Sequence, residues 1–176
     1  MTIALARPSL SLFDSWSETV AEFGDAHIDG AGLERGQSHD RDACAALVEK
    51  AELYADAEAT LPDGHVGCDY FWITDDGDVV GFIAFRRELN DWLRMYGGHI
   101  GYSVRPSRRR QGIAGAALRL VLDRASEQGY DRVMLTCDDG NAGSYRTIES
   151  AGGELEAVIA GPDAPDERMR QYWIAL

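Results

Sequence analysis

Lysine is nearly missing: Lys50 is the only one in 176 residues, and arginine supplies the rest of the positive charge. With 17 basic against 30 acidic residues the formal net charge is −13, and the pI is near 4.6. A surface of that sign repels phosphate backbones, so nucleic acid is not the expected partner and cationic molecules are. The single lysine also excludes a P-loop, which needs a Gly-Lys pair followed by Ser or Thr. Cysteine is scarce. Cys44, Cys68 and Cys137 are odd in number and far apart, with no CxxC pair and no histidine at metal-ligand spacing; free thiols in a reducing compartment are the reading, and no metal is expected. No apolar run approaches the ~18 residues of a membrane span. The apolar bias of "MTIALARPSLSLFDSW" is broken by Arg7, Pro8 and Asp14 before a signal-peptide core can form. A cytoplasmic protein without membrane attachment is therefore expected. Repeats and low-complexity tracts are absent too. At 45% hydrophobic residues the chain can fill one core but not two, so residues 1–176 are read as a single domain.

What is present is a change of period along the chain. "TIALA" reads as a strand, and "SLFDSWSETVAEFG" places Leu12, Phe13, Trp16, Val20 and Phe23 at helical spacing before Gly24. The glycine-rich "GDAHIDGAGLERGQSH" reads as a loop, and "DRDACAALVEKAELYADA" as a second helix. "CDYFWITDDGDVVGFIAFRREL" then alternates as two strands around Asp75, Asp76 and Gly77, a hairpin signal. "GHIGYSV" is a further strand, Gly112 to Gln128 a helix, "DRVMLTCDD" a buried strand, "AGSYRTIESAG" a short helix, and "ELEAVIAG" and "RMRQYWIAL" the last strands. The order predicts an α+β domain, one central sheet with helices on both faces.

Positive charge is concentrated at one point. Five arginines fall between Arg105 and Arg119, in "RPSRRRQGIAGAALR", where a strand gives way to a helix. A helix start presents unpaired N–H groups and the positive end of the macrodipole, which suits an anion. Gly112 and Gly115 allow close backbone approach and Ala114 adds little bulk. A phosphate or pyrophosphate fits. A dinucleotide fingerprint does not, because "GIAGAA" lacks a glycine, "RPSRRRQ" intervenes after the strand, and Asp131 opens the next strand rather than ending it.

"RRQGIA", Arg109 to Ala114, after a strand ending "SVRP" and before an amphipathic helix, resembles the coenzyme A pyrophosphate loop of the GNAT superfamily, the acyl-CoA-dependent N-acyltransferases. "NAGSYRTIESAGG", Asn141 to Gly153, resembles the second half of the same signature. The resemblance spans about Tyr70 to Gly161 and implies a mixed, mostly antiparallel sheet whose central strand pair splays apart. It implies acetyl-CoA as co-substrate and an amine acceptor. Tyr102, Ser103 and Val104 would then offer backbone groups to the pantetheine, with the Val104 N–H facing the thioester carbonyl. Arg109, Arg110, Gln111, Gly112, Ile113, Ala114 and Gly115 would cradle the pyrophosphate, and Asn141 and Ser144 would contact the pantetheine arm. Val104 also reads as a core strand residue and Asn141 as a helix cap.

The sequence departs from the superfamily pattern at the catalytic acid. A tyrosine is usual seven residues after the Asn, and Ile148 stands there. Tyr145, one helical turn earlier, substitutes for it or simply packs. His99 lies where several subgroups carry a glutamate; it is read either as the proton acceptor or as a buried strand histidine, the commoner fate of such a residue. Glu88, Asp91, Trp92 and Tyr96 are candidates for recognising a cationic acceptor, or form an ordinary polar loop. His27, His39 and His65 receive no role. The expected activity is N-acetyl transfer from acetyl-CoA to a small-molecule, peptide or protein amine. An acyl-CoA sensor without turnover and a domain that mainly mediates oligomer contacts are the alternatives, and a homodimer is compatible with the chain.

Overall fold

The computed structural model describes every residue except Met1, Asp163 and Pro165. Its elements follow the order β1 (Ile3–Ala6), α1 (Phe13–Ala21), α2 (Arg41–Ala55), β2 (Cys68–Asp75), β3 (Asp78–Arg86), β4 (Ile100–Val104), α3 (Ile113–Glu127), β5 (Arg132–Asp138), α4 (Ala142–Ser150), β6 (Glu154–Ala160) and β7 (Arg168–Ala175). Asp76 and Gly77 both take positive φ, 52° and 98°, and the register pairs Asp75 with Asp78 across them. That is the two-residue turn whose twist matches the flanking strands.

Alternation along β2 and β3 distributes the core. Trp72 and Phe82 point to one face, where Trp16, Val20, Phe23, Leu33, Cys44 and Leu47 cover them. Phe71, Ile73, Ile83 and Phe85 point to the other, against Ile113, Ala117, Leu118, Val121 and Ala125 of α3. The α3 residues recur at helical spacing, so one stripe is buried and the arginines flanking it stay outside. Each buried Val, Leu, Ile or Phe side chain among these stabilises the fold by about 1.5–3 kcal/mol. Every hydrogen-bonded strand pair is antiparallel.

The central strand pair splays apart, as the resemblance implies. Strands run β1-β2-β3-β4 in one sheet and β5-β7-β6 in the other, with no ladder between β4 and β5. Among the described residues, the backbone hydrogen bond that joins the two sheets lies at His99. At His99 the backbone N–H donates to the Met134 carbonyl at 2.7 Å, the ring Nδ1 accepts from the Met134 N–H at 2.8 Å, and the carbonyl accepts from Arg86 N–H at 2.7 Å. Beyond that junction the strands diverge, and a V-shaped cleft opens toward the start of α3.

Candidate active site

The cleft has a volume of about 590 Å3 and is walled by β4, the turn into α3, the β5 end, α4 and the loop after α1. Its geometry begins with β4. The bonds from Arg86 N–H to the His99 carbonyl and from Arg105 N–H to the Val80 carbonyl fix which residues face β3. In an antiparallel ladder that phase alternates. The N–H and C=O groups of Tyr102 and Val104 therefore turn away from β3, toward a neighbour that has departed. An unpaired strand edge forms the cleft floor.

The turn that follows is a nest of amides. Arg110 and Gly112 both have left-handed backbones, φ 61° and 79°, a pattern in which successive N–H groups converge on one concavity. The N–H groups of Gly112, Ile113, Ala114 and Gly115 have no acceptor among the described residues. A Cβ on Gly112 or Gly115 would meet nothing within 4 Å. Free donors and free space thus coincide at the positive end of a 15-residue helix.

The arginines have more varied tasks than the sequence suggests. Arg105 pairs with Glu22, which also accepts from the Ser107 N–H and hydroxyl, each at 3.0 Å. Those bonds hold the Glu22 carboxyl down at about 2. Arg108 donates to Asp75 at 2.6 Å and to Gln111 at 3.2 Å, and Arg109 donates to the Val104 carbonyl at 3.1 Å. Three side chains therefore shape the turn, and Arg110 is exposed with no hydrogen-bond or ion-pair partner among the described residues. Gln111 braces Arg108 and does not line the cleft.

Across the cleft, the Asn141 side chain caps α4 by accepting from the Ser144 N–H at 3.1 Å. The Tyr102 hydroxyl lies 3.0 Å from Ser144 Oγ, spanning from β4 to α4. Burial pushes its pKa up to about 12, so it stays protonated and able to donate. Tyr102, Ser103, Val104, Arg109, Arg110, Gly112, Ile113, Ala114, Gly115, Asn141, Ser144, Trp92 and Tyr96 all line the cleft.

Four other candidates are not brought there. His99 is 8% exposed, packed beside Phe85, Tyr130 and Trp173, and its Nδ1 is occupied by Met134. Burial, reinforced by Arg86, lowers its pKa to about 4. The expectation of a base at His99 gives way to a structural role at the sheet junction. Tyr145 packs on the core with the Arg170 guanidinium 4.1 Å from its ring centroid, and Ile148 is fully buried, so α4 sends no phenol into the cleft. Glu88 and Asp91 are exposed outside it.

The sequence reading missed the loop between α1 and α2. His27 and Asp29 line the cleft, as do Arg86, Thr136, Cys137 and Asp138. The signal was present in the glycines. Gly30, with φ +79°, lies so close to β4 that a Cβ would stand 2.2 Å from the Gly101 carbonyl oxygen, and no other residue permits that approach.

Residues 37–152 match the family model described as Acetyltransferase (GNAT) family. The chain belongs to the GNAT acetyltransferases. Among solved structures it resembles the microcin C7 self-immunity acetyltransferase MccE bound to acetyl-CoA and AMP, at TM-score 0.72 and 16% identity over 99% of this chain and 92% of that one. It also resembles RimJ of Mycobacterium smegmatis with CoA-disulfide, at TM-score 0.72 and 22% identity over 98% and 81%. A third is the Salmonella typhimurium acetyltransferase that modifies the N-terminal serine of ribosomal protein L7/L12, at TM-score 0.71 and 16% identity over 100% and 96%. At these identities the likeness is one of fold. No curated protein matches the sequence significantly.

Proposed function

We propose that this GNAT protein transfers an acetyl group from acetyl-CoA to a primary amine by direct attack. The observation that carries the reading is the coincidence of unpartnered amides from Gly112 to Gly115 with an open β4 edge in one cleft. The first suits a pyrophosphate, and the second suits the amide groups of pantetheine. Bound there, acetyl-CoA supplies a thioester activated for attack. The chain supplies the rest. The Val104 N–H, free of β3, donates to the carbonyl oxygen as negative charge grows on it, the kind of contact worth ~10²–10³ in rate elsewhere. Arg109 holds the Val104 carbonyl, which lies in the next peptide plane, and so restrains the backbone just after that donor. Tyr102, like Tyr96, is a phenol of the cleft wall where α4 offers none, and its hydroxyl, which bonds Ser144 in the free protein, turns to donate toward the departing sulfur.

Ile148, fully buried, stands where the superfamily usually carries its catalytic tyrosine, and this favours the second reading, a sensor that binds acyl-CoA without turnover. Calorimetry with acetyl-CoA, followed by thiol release with polyamines, amino acids, aminoglycosides and peptides, separates the two. Binding with release supports the transferase; binding with none supports the sensor. Gly112→Asp should abolish binding by placing a negative side chain in the anion cradle, and unchanged affinity would remove the loop assignment.

A further inference from the structure

An amine enters as R–NH3+ at neutral pH, because an alkyl ammonium titrates near ~10, and it must shed a proton before it can attack. The structure narrows where that proton can go. Among the described residues, the imidazole and carboxylate side chains on the cleft wall that can accept it are His27, Asp29 and Asp138. His39 is bonded to Ser17, His65 to Tyr54, and His99 is sealed at the sheet junction.

We propose that His27 is the proton acceptor for the incoming amine, and that Asp29 holds its imidazole and receives the ammonium charge. This rests on the acetyl-transfer reading above. His27 Nε2 lies 3.3 Å from Asp29 Oδ1, while Nδ1 has no partner among the described residues. A carboxylate on one ring nitrogen keeps the proton there and leaves the lone pair on the other.

The pair sits on an anchored loop. Ile28, between the two residues, is buried in the core formed with Trp16 and Trp72, and Ala31 and Leu33 plug into the same cluster. The Lys50 ammonium donates to the Gly32 carbonyl at 2.8 Å, and Gly30 rests against Gly101 of β4. With Ile28 turned inward, its neighbours on each side are presented outward, over the strand edge that carries Tyr102. The chain's only lysine thus secures the loop that bears the base.

Charges facing the pair come from three strands. Arg86 of β3 approaches Asp29, but its guanidinium donates to the carbonyls of Gly97 and Gly98 at 3.0 and 3.1 Å and is committed there. Asp138 at the end of β5 adds a second negative charge, and Tyr102 of β4 stands nearby as a neutral phenol. Crowding by protein raises the Asp29 carboxyl above its usual range despite His27 and Arg86, although 67% of its side chain remains accessible. An incoming cation relieves that crowding of negative charge. Trp92 and Tyr96, their ring centroids 6.0 Å apart, complete an aromatic and acidic mouth suited to an ammonium.

The step balances as follows. One proton passes from R–NH3+ to His27 Nδ1 and on to solvent. The nitrogen lone pair forms the C–N bond as the C–S bond breaks with its electrons leaving on sulfur, and the second nitrogen proton ends on that sulfur. One proton is released per turnover.

The test uses the whole protein, acetyl-CoA and a pool of random tetrapeptides with free α-amines plus spermidine, with acetylated products read by mass spectrometry. Wild type should acetylate members of the pool. On the best of them, His27→Ala should lower kcat on the order of 100-fold, remove the acid limb of the rate profile, and recover in part when free imidazole is added. Asp29→Asn should raise KM for the amine more than it lowers kcat. Both variants should bind acetyl-CoA within about twofold of wild type. A His27→Ala protein that keeps its kcat and pH profile overturns the proposal, as does a wild type that binds acetyl-CoA but acetylates nothing in the pool. Failure of wild type to bind acetyl-CoA overturns the transferase reading itself, and this proposal with it.

Discussion

His99 occupies a place where an imidazole has to be neutral. Three aromatic rings surround it and its Nδ1 is committed as an acceptor to the Met134 N–H. Its pKa is lowered from 6.5 to about 4, so between those values the unfolded chain binds a proton that the folded chain refuses. Stability from this residue is therefore complete above pH 6.5 and is lost as pH falls toward 4. We expect the melting temperature of wild type to drop across that window, and the drop to be shallower in His99→Phe, as measured by calorimetry at a series of pH values. His99→Phe should also be less stable at pH 8 by about 1–3 kcal/mol, because Met134 is left with a buried unpaired N–H. Its effect on turnover should follow its effect on folding, in contrast to His27→Ala.

The turn from β4 into α3 is held by an element distant in sequence. Glu22, at the end of α1, gathers Arg105 and Ser107 through both carboxylate oxygens. Glu22→Ala should leave the fold intact, loosen the amide nest and weaken acetyl-CoA binding several-fold in calorimetry. Because the Glu22 pKa is lowered from 4.5 to about 2, the folded protein should keep these bonds until pH falls toward 2, while the stability they contribute, complete above 4.5, is lost between those two values. The local parts of this turn were legible in the sequence: Gly112 at the start of α3, the hairpin at Asp76 and Gly77, and the Asn141 cap each follow from chemistry within a few residues. The division of labour among the arginines was not. Arg105 meets its acid 83 positions away and Arg108 meets Asp75 33 positions away, and no local pattern encodes such pairs. For the same reason His27 went unassigned, while His99 was left between a base and a buried strand histidine. Burial and ring contacts, which decide between a base and a structural histidine, are properties of the packed chain.

At the scale of the whole molecule, two sheets share one junction and a loop closes over the gap between them. Gly30 is the contact that seats the loop. Gly30→Ala, with its Cβ 2.2 Å from a carbonyl oxygen, should lift the loop, cost about 1–3 kcal/mol, and suppress amine turnover while leaving acetyl-CoA affinity nearly unchanged; an enzyme assay beside calorimetry reads both. The open edge of β4 has a different consequence, one of time rather than shape. Amides of Tyr102, Val104 and Gly112 to Gly115 have only water to satisfy them in the free protein, so they should exchange their hydrogens within seconds although they lie beside the buried, fully paired strand β3. Whatever fills the cleft must slow those few positions first, and a deuterium-uptake map of them reports occupancy by any acyl carrier without the acceptor being known.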